Sequence, residues 1–404
     1  MKFWEGFGRK LFLGLAALGL LGAQAQGQYV YTTIDDPVAK ATNGTTYVTG
    51  ISGNVVAGYY FGPQLHGFYH TLGTTNYTTL DVPAGTTSMN SSTAANGISG
   101  NNIVGYYQAT NYSGTYGFIY NIAASNYTTL ADASVSDGNT SYLEALGIDG
   151  ANIVGNVISS VPLAGAYQEV FLATPSAGSY DFSTFYYPSP SQVINEESYY
   201  LSNYTTRAFG ISGPNVVGYW LDENLVYHGY IYNINTASYT LLASPSGGGC
   251  PLTGIDGNNV VGYYADPNYG YNYSGFIYNM VSSNYTATSL HDTLAPGNTF
   301  VEGISGGTIV GYYLDNDGVT HGFVASTPIP VLNLKVVGAS QIFTATNGLP
   351  GSSCFILDTT NLALPVNQWS ELSSNMFNTN GIFTFTNPVV PSMPSAFYGL
   401  SKTP

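Results

Sequence analysis

The chain has 404 residues, with 7 lysines and arginines against 22 aspartates and glutamates, and only 7% of its residues are charged. This acidic balance argues against nucleic acid and anionic membranes as partners, because both are bound by clustered basic side chains. Aromatic residues make up 14% of the chain and include 36 tyrosines. A composition so rich in aromatic residues and so poor in charge is unlike that of a disordered chain and predicts a large packed core.

The first 25 residues have the pattern of a secretory signal peptide. Basic residues (Lys2, Arg9, Lys10) precede an apolar run at 11–21, and Ala23-Gln-Ala25 fits a cleavage site. The apolar run is too short to span a membrane and no second run follows, so we expect no membrane span. We expect export, cleavage near Ala25, and an extracellular or cell-surface location. The mature chain would carry four strong cations against 21 carboxylates.

A phrase repeated six times dominates the rest of the sequence. It is clearest as Gly-Ile-Ser-Gly-Asn-Asn-Ile-Val-Gly-Tyr-Tyr at 97–107, and a His-Gly-Phe-x-Tyr phrase and an Asn-Tyr-Thr-Thr-Leu phrase usually follow it. The copies begin at Gly50, Gly97, Gly147, Gly210, Gly254 and Gly303. The recurrence of these starting residues at similar spacings is typical of repeat architectures. Within the second unit we predict four strands, at 94–98, 102–107, 117–121 and 127–130, separated by Gly- and Asn-rich turns.

The Ile-Val-Gly-Tyr-Tyr run indicates how these strands pack. It is apolar at nearly every position instead of alternating, so the strand should be covered on both faces. The glycine inside it would let a neighbouring backbone or an aromatic ring approach closely. Four strands a unit, in sheets covered on both sides, favour a β-propeller.

The two ends of the repeat region complement each other. Tyr31-Thr-Thr-Ile34 matches the third phrase but precedes the first unit, whereas the sixth unit stops after His321-Gly-Phe323. Pairing the spare strand with the incomplete unit would remove two open edges. We therefore predict an all-β fold, a six-bladed β-propeller over 29–328 closed by its N-terminal strand. A β-solenoid or an irregular β-array is the alternative.

These phrases together resemble the extracellular repeat proteins known as the HAF-repeat family, and the resemblance covers 29–328. It implies a secreted bacterial protein with a propeller-like repeat region. The family brings no established activity, so no catalytic residue is carried over. Three histidines match the family's His position, namely His66, His228 and His321, while the second unit has Tyr116 there and the fifth has Ser274.

Two segments depart from the repeat. The longer gap between the third and fourth units suggests an insertion near 176–206, which is either a loop on a binding face or a tolerated surface loop. After the Pro-bearing break at 327–330, residues 331–404 are predicted to form a small separate β-sandwich-like module. Its strands are expected at 332–337, 341–345, 354–358, 369–372, 382–386 and 396–400. This tail is similar to the C-terminal β-modules of many secreted bacterial proteins, which implies a sorting or attachment role.

Several candidate sites each have a plain structural interpretation. Cys250 and Cys354 could form a disulfide in an exported protein or could stay as two thiols. The three repeat histidines are expected to bind turns at strand ends, since metal ligation needs ligands that converge. Asp315 and Asp317 precede a glycine and are weak candidates for binding Ca²⁺, but the same residues suit a tight hairpin turn.

The charged residues of the first strands are the strongest candidates for ligand binding. In a propeller this strand lines the central channel. Glu144 and Arg207 stand three residues before the repeat glycine of consecutive units, and Glu302 stands directly before its glycine. They could bind a polar ligand, or Glu144 and Arg207 could be a structural ion pair between blades.

We predict a secreted non-catalytic protein that binds a ligand or serves as a structural element at the cell surface. Tyrosine- and asparagine-rich loops suit carbohydrate, so an extracellular glycan or cell-surface component is the expected partner. No cofactor other than Ca²⁺ is suggested. The alternative is an extracellular glycoside hydrolase or polysaccharide lyase that acts at the channel, although the sequence shows no nucleophile elbow, P-loop or zinc-helix motif.

Overall fold

The computed structural model describes residues 29–82, 92–108, 114–130, 141–161, 165–187, 206–222, 224–292, 298–327, 330–348, 353–378, 380–389 and 396–401. The predicted signal peptide lies outside these residues. The described part is an all-β protein with several sheets, as the sequence predicts.

The described chain starts with strand β1 (Val30–Ile34) and one turn of helix, α1 (Pro37–Ala41). This helix was not predicted from the sequence, although two residues favour a helix start. Asp36 caps the helix by accepting a hydrogen bond from Val38 N, and Pro37 takes the first helical position. The strands of the first three repeats are β2 (Thr46–Ser52), β3 (Val55–Phe61), β4 (Leu65–Thr71), β5 (Tyr77–Leu80), β6 (Ser92–Ser99), β7 (Asn102–Gln108), β8 (Gly114–Asn121), β9 (Asn126–Leu130), β10 (Ser141–Asp149), β11 (Asn152–Val161), β12 (Gly165–Ser176) and β13 (Ser179–Phe185).

The last three repeats begin at residue 206. Their strands are β14 (Thr206–Ser212), β15 (Asn215–Leu221), β16 (Tyr227–Asn233), β17 (Ser238–Leu242), β18 (Leu252–Asp256), β19 (Asn259–Asp266), β20 (Asn272–Asn279), β21 (Asn284–Leu290), β22 (Thr299–Ser305), β23 (Thr308–Leu314) and β24 (Thr320–Ser326). A 3₁₀ turn, Pro267–Tyr269, lies between β19 and β20.

Each of the first five repeats contributes four consecutive antiparallel strands. The second and third sets are joined by a short parallel pairing of β8 with β10. The sixth repeat supplies three strands, and β1 completes its sheet in the order β1-β24-β23-β22. Thr33 pairs with Phe323, so the expected partnership of the spare N-terminal strand with the last repeat strand is present.

The second strand of each repeat is covered on both faces, as its apolar pattern predicts. Ile103 and Val104 are both fully buried. Because successive side chains point to opposite faces, they belong to different clusters: Ile103 packs with the first repeat and Val104 with the third. Six such clusters lie between consecutive repeats, and one of them joins Val310 of the sixth repeat to Val48 and Phe68 of the first.

A hydrogen-bonded chain links the turns that follow the first strands. Each turn donates a backbone N–H to a serine or aspartate side chain of the repeat before it, and the turn of the first repeat donates to the sixth. The pairs run Gly53 to Ser305, Gly100 to Ser52, Gly150 to Ser99, Gly213 to Asp149, Gly257 to Ser212 and Gly306 to Asp256, at 2.7–3.3 Å. The Ser/Asp of the Gly-Ile-Ser/Asp-Gly phrase therefore joins neighbouring repeats.

The interpretation of 176–206 as an insertion is wrong for its first part. Residues 179–185 form β13, the fourth strand of the third repeat. This strand lacks the Asn-Tyr-Thr-Thr-Leu phrase, but Phe182 packs its ring 5.6 Å from that of Phe171 and so keeps the strand on the core. Residues 188–205 lie outside the described part of the chain.

The C-terminal segment forms two three-stranded sheets, ordered β25-β26-β29 and β28-β27-β30. Their strands are β25 (Val331–Val337), β26 (Ser340–Thr346), β27 (Ser353–Thr359), β28 (Ser370–Met376), β29 (Phe383–Pro388) and β30 (Phe397–Ser401), with a 3₁₀ turn at Val366–Gln368. All six expected strands are present within a few residues. Trp369, expected inside a strand, precedes β28 and donates its indole N–H to Leu364 O.

The two cysteines occupy different cores and are not joined by a disulfide. Cys250 packs between the fourth and fifth repeats, and Cys354 lies in the core of the C-terminal sheets. Burial raises the pKa of the Cys250 thiol to about 12. The interpretation as two thiols is the one that the structure supports.

Candidate functional site

A cavity of about 340 Å³ lies where the first strands of all six repeats converge. Every repeat contributes to its wall. Its lining comprises Thr49, Tyr59, Asn96, Tyr106, Glu144, Leu146, Arg207, Phe209, Tyr219, Pro251, Thr253, Tyr263, Glu302 and Tyr312. The three residues that the sequence singled out, Glu144, Arg207 and Glu302, all lie in this one cavity.

A β-bulge in each first strand supplies six of these lining side chains. The pairing of β2 with β3 shifts between Val48 and Gly50, which leaves Thr49 as the extra residue, and the same shift occurs in the other five repeats. A bulge redirects the side chain of its extra residue. Here it turns the residue before each repeat glycine toward the cavity.

Three of these bulge residues also tie neighbouring repeats together, and one of them is Asn96, whose side-chain amide donates to Ala145 O at 3.2 Å. The Thr49 hydroxyl donates to Ala95 O at 3.0 Å, and the Thr253 hydroxyl donates to Val301 O at 2.6 Å. The wall of the cavity is thus part of the contact between repeats, which favours a rigid site.

The repeat glycine that follows each bulge permits close approach between neighbouring repeats. A Cβ on Gly97 would lie 2.7 Å from Leu146 O of the next repeat. A narrower space of about 60 Å³, lined by the Gly-Ile pairs of all six repeats, adjoins the bulge residues. The cavity therefore narrows toward the turns that carry the inter-repeat hydrogen bonds.

Glu144 and Arg207 form an ion pair between β10 and β14. Arg207 Nη2 donates to Glu144 Oε2 at 2.6 Å, and the Tyr142 hydroxyl donates to Glu144 Oε1 at 2.7 Å. The guanidinium carbon lies 5.5 Å from the ring centroid of Phe209. Arg207 Nε is buried and has no hydrogen-bond partner among the described residues. The structural interpretation of this pair is supported.

Glu302 has a different environment. Part of its surface faces the cavity, yet the carboxyl group lies deep in the molecule, and this burial raises its pKa to about 8. Among the described residues, no hydrogen bond or ion pair reaches its carboxylate. Burial raises the pKa of four cavity tyrosines, and the negative charge of Glu302 raises it further. These are Tyr59, Tyr219, Tyr263 and Tyr312. These four tyrosines line the same cavity as Glu302.

Sequence reasoning missed the tyrosines as lining residues. Five of the six repeats place a tyrosine after the in-strand glycine. In four of them it lies directly opposite the residue three before the repeat glycine, as in the Arg207–Tyr219 pair. The third repeat has a buried asparagine there, Asn156. Because cross-strand partners share a face, the predicted inward register of Arg207 could have identified Tyr219 and its equivalents.

The three repeat histidines bind aspartates, as strand-end residues are expected to do. His66 Nδ1 lies 2.9 Å from Asp81 Oδ1, and His321 Nδ1 lies 2.9 Å from Asp35 Oδ2. Both aspartates follow the last residue of a fourth strand, so this pairing is a property of the repeat. His228 in the fourth repeat binds a turn aspartate instead, Asp222, at 3.0 Å.

The Asp315–Asp317 segment forms a turn. Asp315 Oδ1 accepts hydrogen bonds from the backbone N–H groups of Asp317 and Val319, each at 2.9 Å, and Oδ2 lies 3.2 Å from His321 Nε2. Within the described ranges, no three or more His, Cys, Asp or Glu side chains are grouped as a metal site would require. The turn interpretation accounts for the Asp315 carboxylate.

No family model and no curated protein matches this chain. Solved structures do. One match is to prolyl endopeptidases, which are 12% identical to this chain with a TM-score of 0.38, and the match covers 74% of this chain. The chain spans only 38% of the length of these prolyl endopeptidases. An oligogalacturonate lyase from Vibrio parahaemolyticus is 10% identical with a TM-score of 0.39. This match covers 74% of this chain and 97% of the lyase.

A subtype N11 neuraminidase-like protein of A/flat-faced bat/Peru/033/2010 (H18N11) is 10% identical with a TM-score of 0.41, and the match covers 74% of this chain and 94% of that protein. All three TM-scores lie below 0.5, and the function proposed below therefore rests on the site itself. In the described residues, no helix has the length and apolar character needed to cross a membrane.

Proposed function

We propose that residues 29–328 form a closed six-bladed β-propeller that acts as a non-catalytic binding module, with residues 331–404 as a separate β-module. The ligand site is the central cavity, and a carbohydrate is the ligand class it suits best. We further propose that the protein is a secreted member of the HAF-repeat proteins, exported by the segment at 1–25.

The pairing of the two ends of the repeat region supports a closed ring. Strand β1 completes the sixth sheet, and Gly53 at the start of the region donates to Ser305 at its end. An elongated solenoid gives its first and last repeats no reason to contact each other. A ring of six sheets leaves one space on its axis, into which all first strands project.

The observation that carries the binding function is the cavity itself. Its volume of about 340 Å³ falls in the range of about 300–1,000 Å³ that is usual for small-molecule sites. Tyrosine rings offer apolar faces for stacking and hydroxyl groups for hydrogen bonds, which is the combination that sugars require. Arg207 adds a charged guanidinium group, and Glu302 adds a carboxyl group that no described residue hydrogen-bonds.

The proposal can be tested by measuring saccharide binding while the cavity is filled. Leu146→Trp would place a large ring in the cavity, whereas Leu241→Trp adds the same ring on the exposed face of β17. Isothermal titration calorimetry with a panel of mono- and disaccharides should show binding to the wild type and to Leu241→Trp, and its loss in Leu146→Trp. Arg207→Lys provides a second, milder change to the wall. Equal binding by all four proteins would place the site elsewhere and refute the proposal.

One observation favours a second function, an extracellular glycoside hydrolase or polysaccharide lyase. The cavity holds two carboxyl groups in unlike environments: Glu144 is ion-paired with Arg207, whereas Glu302 has a raised pKa of about 8 and keeps its proton at neutral pH. When two carboxyl groups differ in environment in this way, one can serve as base or nucleophile and the other as general acid.

Turnover of a polysaccharide panel separates the two functions. In a hydrolase, Glu302→Gln should lower the rate by about 100-fold or more, and Glu144→Gln should also be impaired. Binding of saccharides by the wild type without any turnover would exclude the enzyme.

A further inference from the structure

The charges of the central cavity do not balance. Glu144 and Arg207 neutralise each other at 2.6 Å. Glu302 has no cation beside it: burial alone accounts for its raised pKa, and no hydrogen bond or ion pair with a described residue opposes this effect. When Glu302 ionises, the cavity wall carries one uncompensated negative charge.

The groups around Glu302 would stabilise a cation placed next to it. Tyr59, Tyr219, Tyr263 and Tyr312 line the same cavity, and the charge of Glu302 contributes to their raised pKa. The face of an aromatic ring attracts positive charge. Several of these rings are held in place by other rings outside the cavity. The Tyr312 ring stacks on Phe300 at 4.7 Å, and Phe300 also meets Tyr263 at 4.9 Å. The cluster is thus preorganised, which lowers the entropy cost of binding.

We propose that the ligand of the central cavity carries a protonated amino group, for which Glu302 is the counter-ion and the tyrosine rings of the cavity form an aromatic cage. An amino sugar with a free amine combines this charge with the carbohydrate frame. The inference rests on the proposed function of the cavity and adds to it the charge class of the ligand.

This arrangement links binding to proton release. The empty site holds Glu302 mainly protonated at neutral pH because its pKa is about 8. A bound ammonium group favours the ionised carboxylate, so the proton must leave as the ligand enters. The other titratable groups of the cavity wall are the four tyrosines and Tyr106, whose pKa burial raises in every case, and the Glu144–Arg207 pair. Release of a proton near neutral pH is therefore specific to Glu302.

The test compares three probes: glucose, glucosamine, which has the same frame with an ammonium group, and choline, which has a cation without the sugar. Calorimetric titrations at pH 7 in two buffers of different ionisation enthalpy give both the affinity and the number of protons released. We expect glucosamine to bind about tenfold or more tightly than glucose, with release of roughly one proton. Glu302→Gln should reduce this preference to about threefold or less and abolish proton release. Glu302→Asp should keep part of both.

Glu371→Gln is the matched control, because it removes a carboxylate from an exposed position in the C-terminal sheets, and it should bind as the wild type does. Equal affinity for glucose and glucosamine in the wild type would overturn the inference and leave the carbohydrate proposal standing. Binding of choline in a Glu302-dependent way, without binding of either sugar, would support the inference and refute carbohydrate as the ligand class. Failure of all three probes would refute both.

Discussion

Replacing the glycine inside the second strand should destabilise the repeat region strongly. A Cβ built on Gly105 would lie 2.0 Å from Ala94 O and 2.7 Å from the nearest ring atom of Phe118, whereas ordinary contact begins near 3.4 Å. The carbonyl oxygen belongs to the neighbouring strand's backbone, so no change of side-chain rotamer can make room. The strands would have to separate by roughly 1.4 Å at this point. Overpacking of a core usually costs about 1–3 kcal/mol, and we expect Gly105→Ala to cost about 3 kcal/mol or more.

Gly248→Ala is the matched control for this change. The nearest atom to a Cβ at Gly248 is Ser244 Oγ at 3.8 Å, and Gly248 does not have a positive φ. Alanine should fit there and stabilise the fold by about 0.4–1 kcal/mol, because it reduces the entropy of the unfolded chain. Urea unfolding followed by far-ultraviolet circular dichroism would give both values. If the two variants differed by less than about 0.5 kcal/mol, close approach would not be the reason for the repeated glycine.

Three further predictions concern charged groups. Because Glu302 has its pKa raised to about 8 by burial, the native state holds its proton at pH values where the unfolded state has lost it, and stability falls as pH rises from about 4.5 to 8. The Glu302→Gln variant should therefore melt above the wild type at pH 8.5 and match it at pH 4.5. Burial lowers the pKa of His321, but Asp35, assisted by the carboxylate at 315, outweighs this effect and raises it above the ordinary value. The stability that His321 adds is full below about pH 6.5 and is lost as pH rises through the raised value, so the melting difference between wild type and His321→Gln should shrink from pH 5.5 to 8.5. Arg207→Met alone leaves the Glu144 carboxylate without its counter-charge and should cost about 2 kcal/mol, since the pair is only partly buried, and Glu144→Leu in the same chain should recover most of that loss.

Each of these predictions has a contradicting result. A Glu302→Gln variant that melts with the wild type at every pH would mean that its carboxyl group is solvated. A His321 effect that grows with pH would reverse the sign of its interaction with Asp35. Equal stabilities of the Arg207→Met single variant and the double variant would show that the ion pair has no role in joining the third and fourth repeats.

The architecture of the repeat was largely predictable because its signals are local and occur six times. Ile103 and Val104 are adjacent apolar residues, so their strand had to be covered on two faces. The incomplete sixth unit and the spare Tyr31-Thr-Thr-Ile34 segment indicated which strands pair. Repetition also exposed the glycine positions, since chance would not keep Gly105 and its equivalents at one register.

The details of the site were less accessible from sequence. The shared register of Glu144 and Arg207 predicted their proximity, but Glu302 stands two positions later along its strand. It reaches the same cavity because the bulge turns the residue before the repeat glycine inward, and a bulge changes the strict alternation on which register counting depends. The aspartate partners of the histidines were also missed. Asp35 and His321 are far apart in sequence and meet only because β1 pairs with β24.

The closure of the repeat region by its own ends can be measured with an engineered disulfide. Val30 and Ser326 are exposed and directly opposite in the β1–β24 pairing, and antiparallel partners have Cα separations of about 4.5–5.5 Å, within the range that a disulfide bridges. Oxidation of the Val30→Cys/Ser326→Cys variant should yield the linked peptides by mass spectrometry in most molecules and raise the melting temperature. If both introduced thiols stay open to alkylation after oxidation, the two ends do not meet, and the repeats do not enclose the cavity proposed as the binding site.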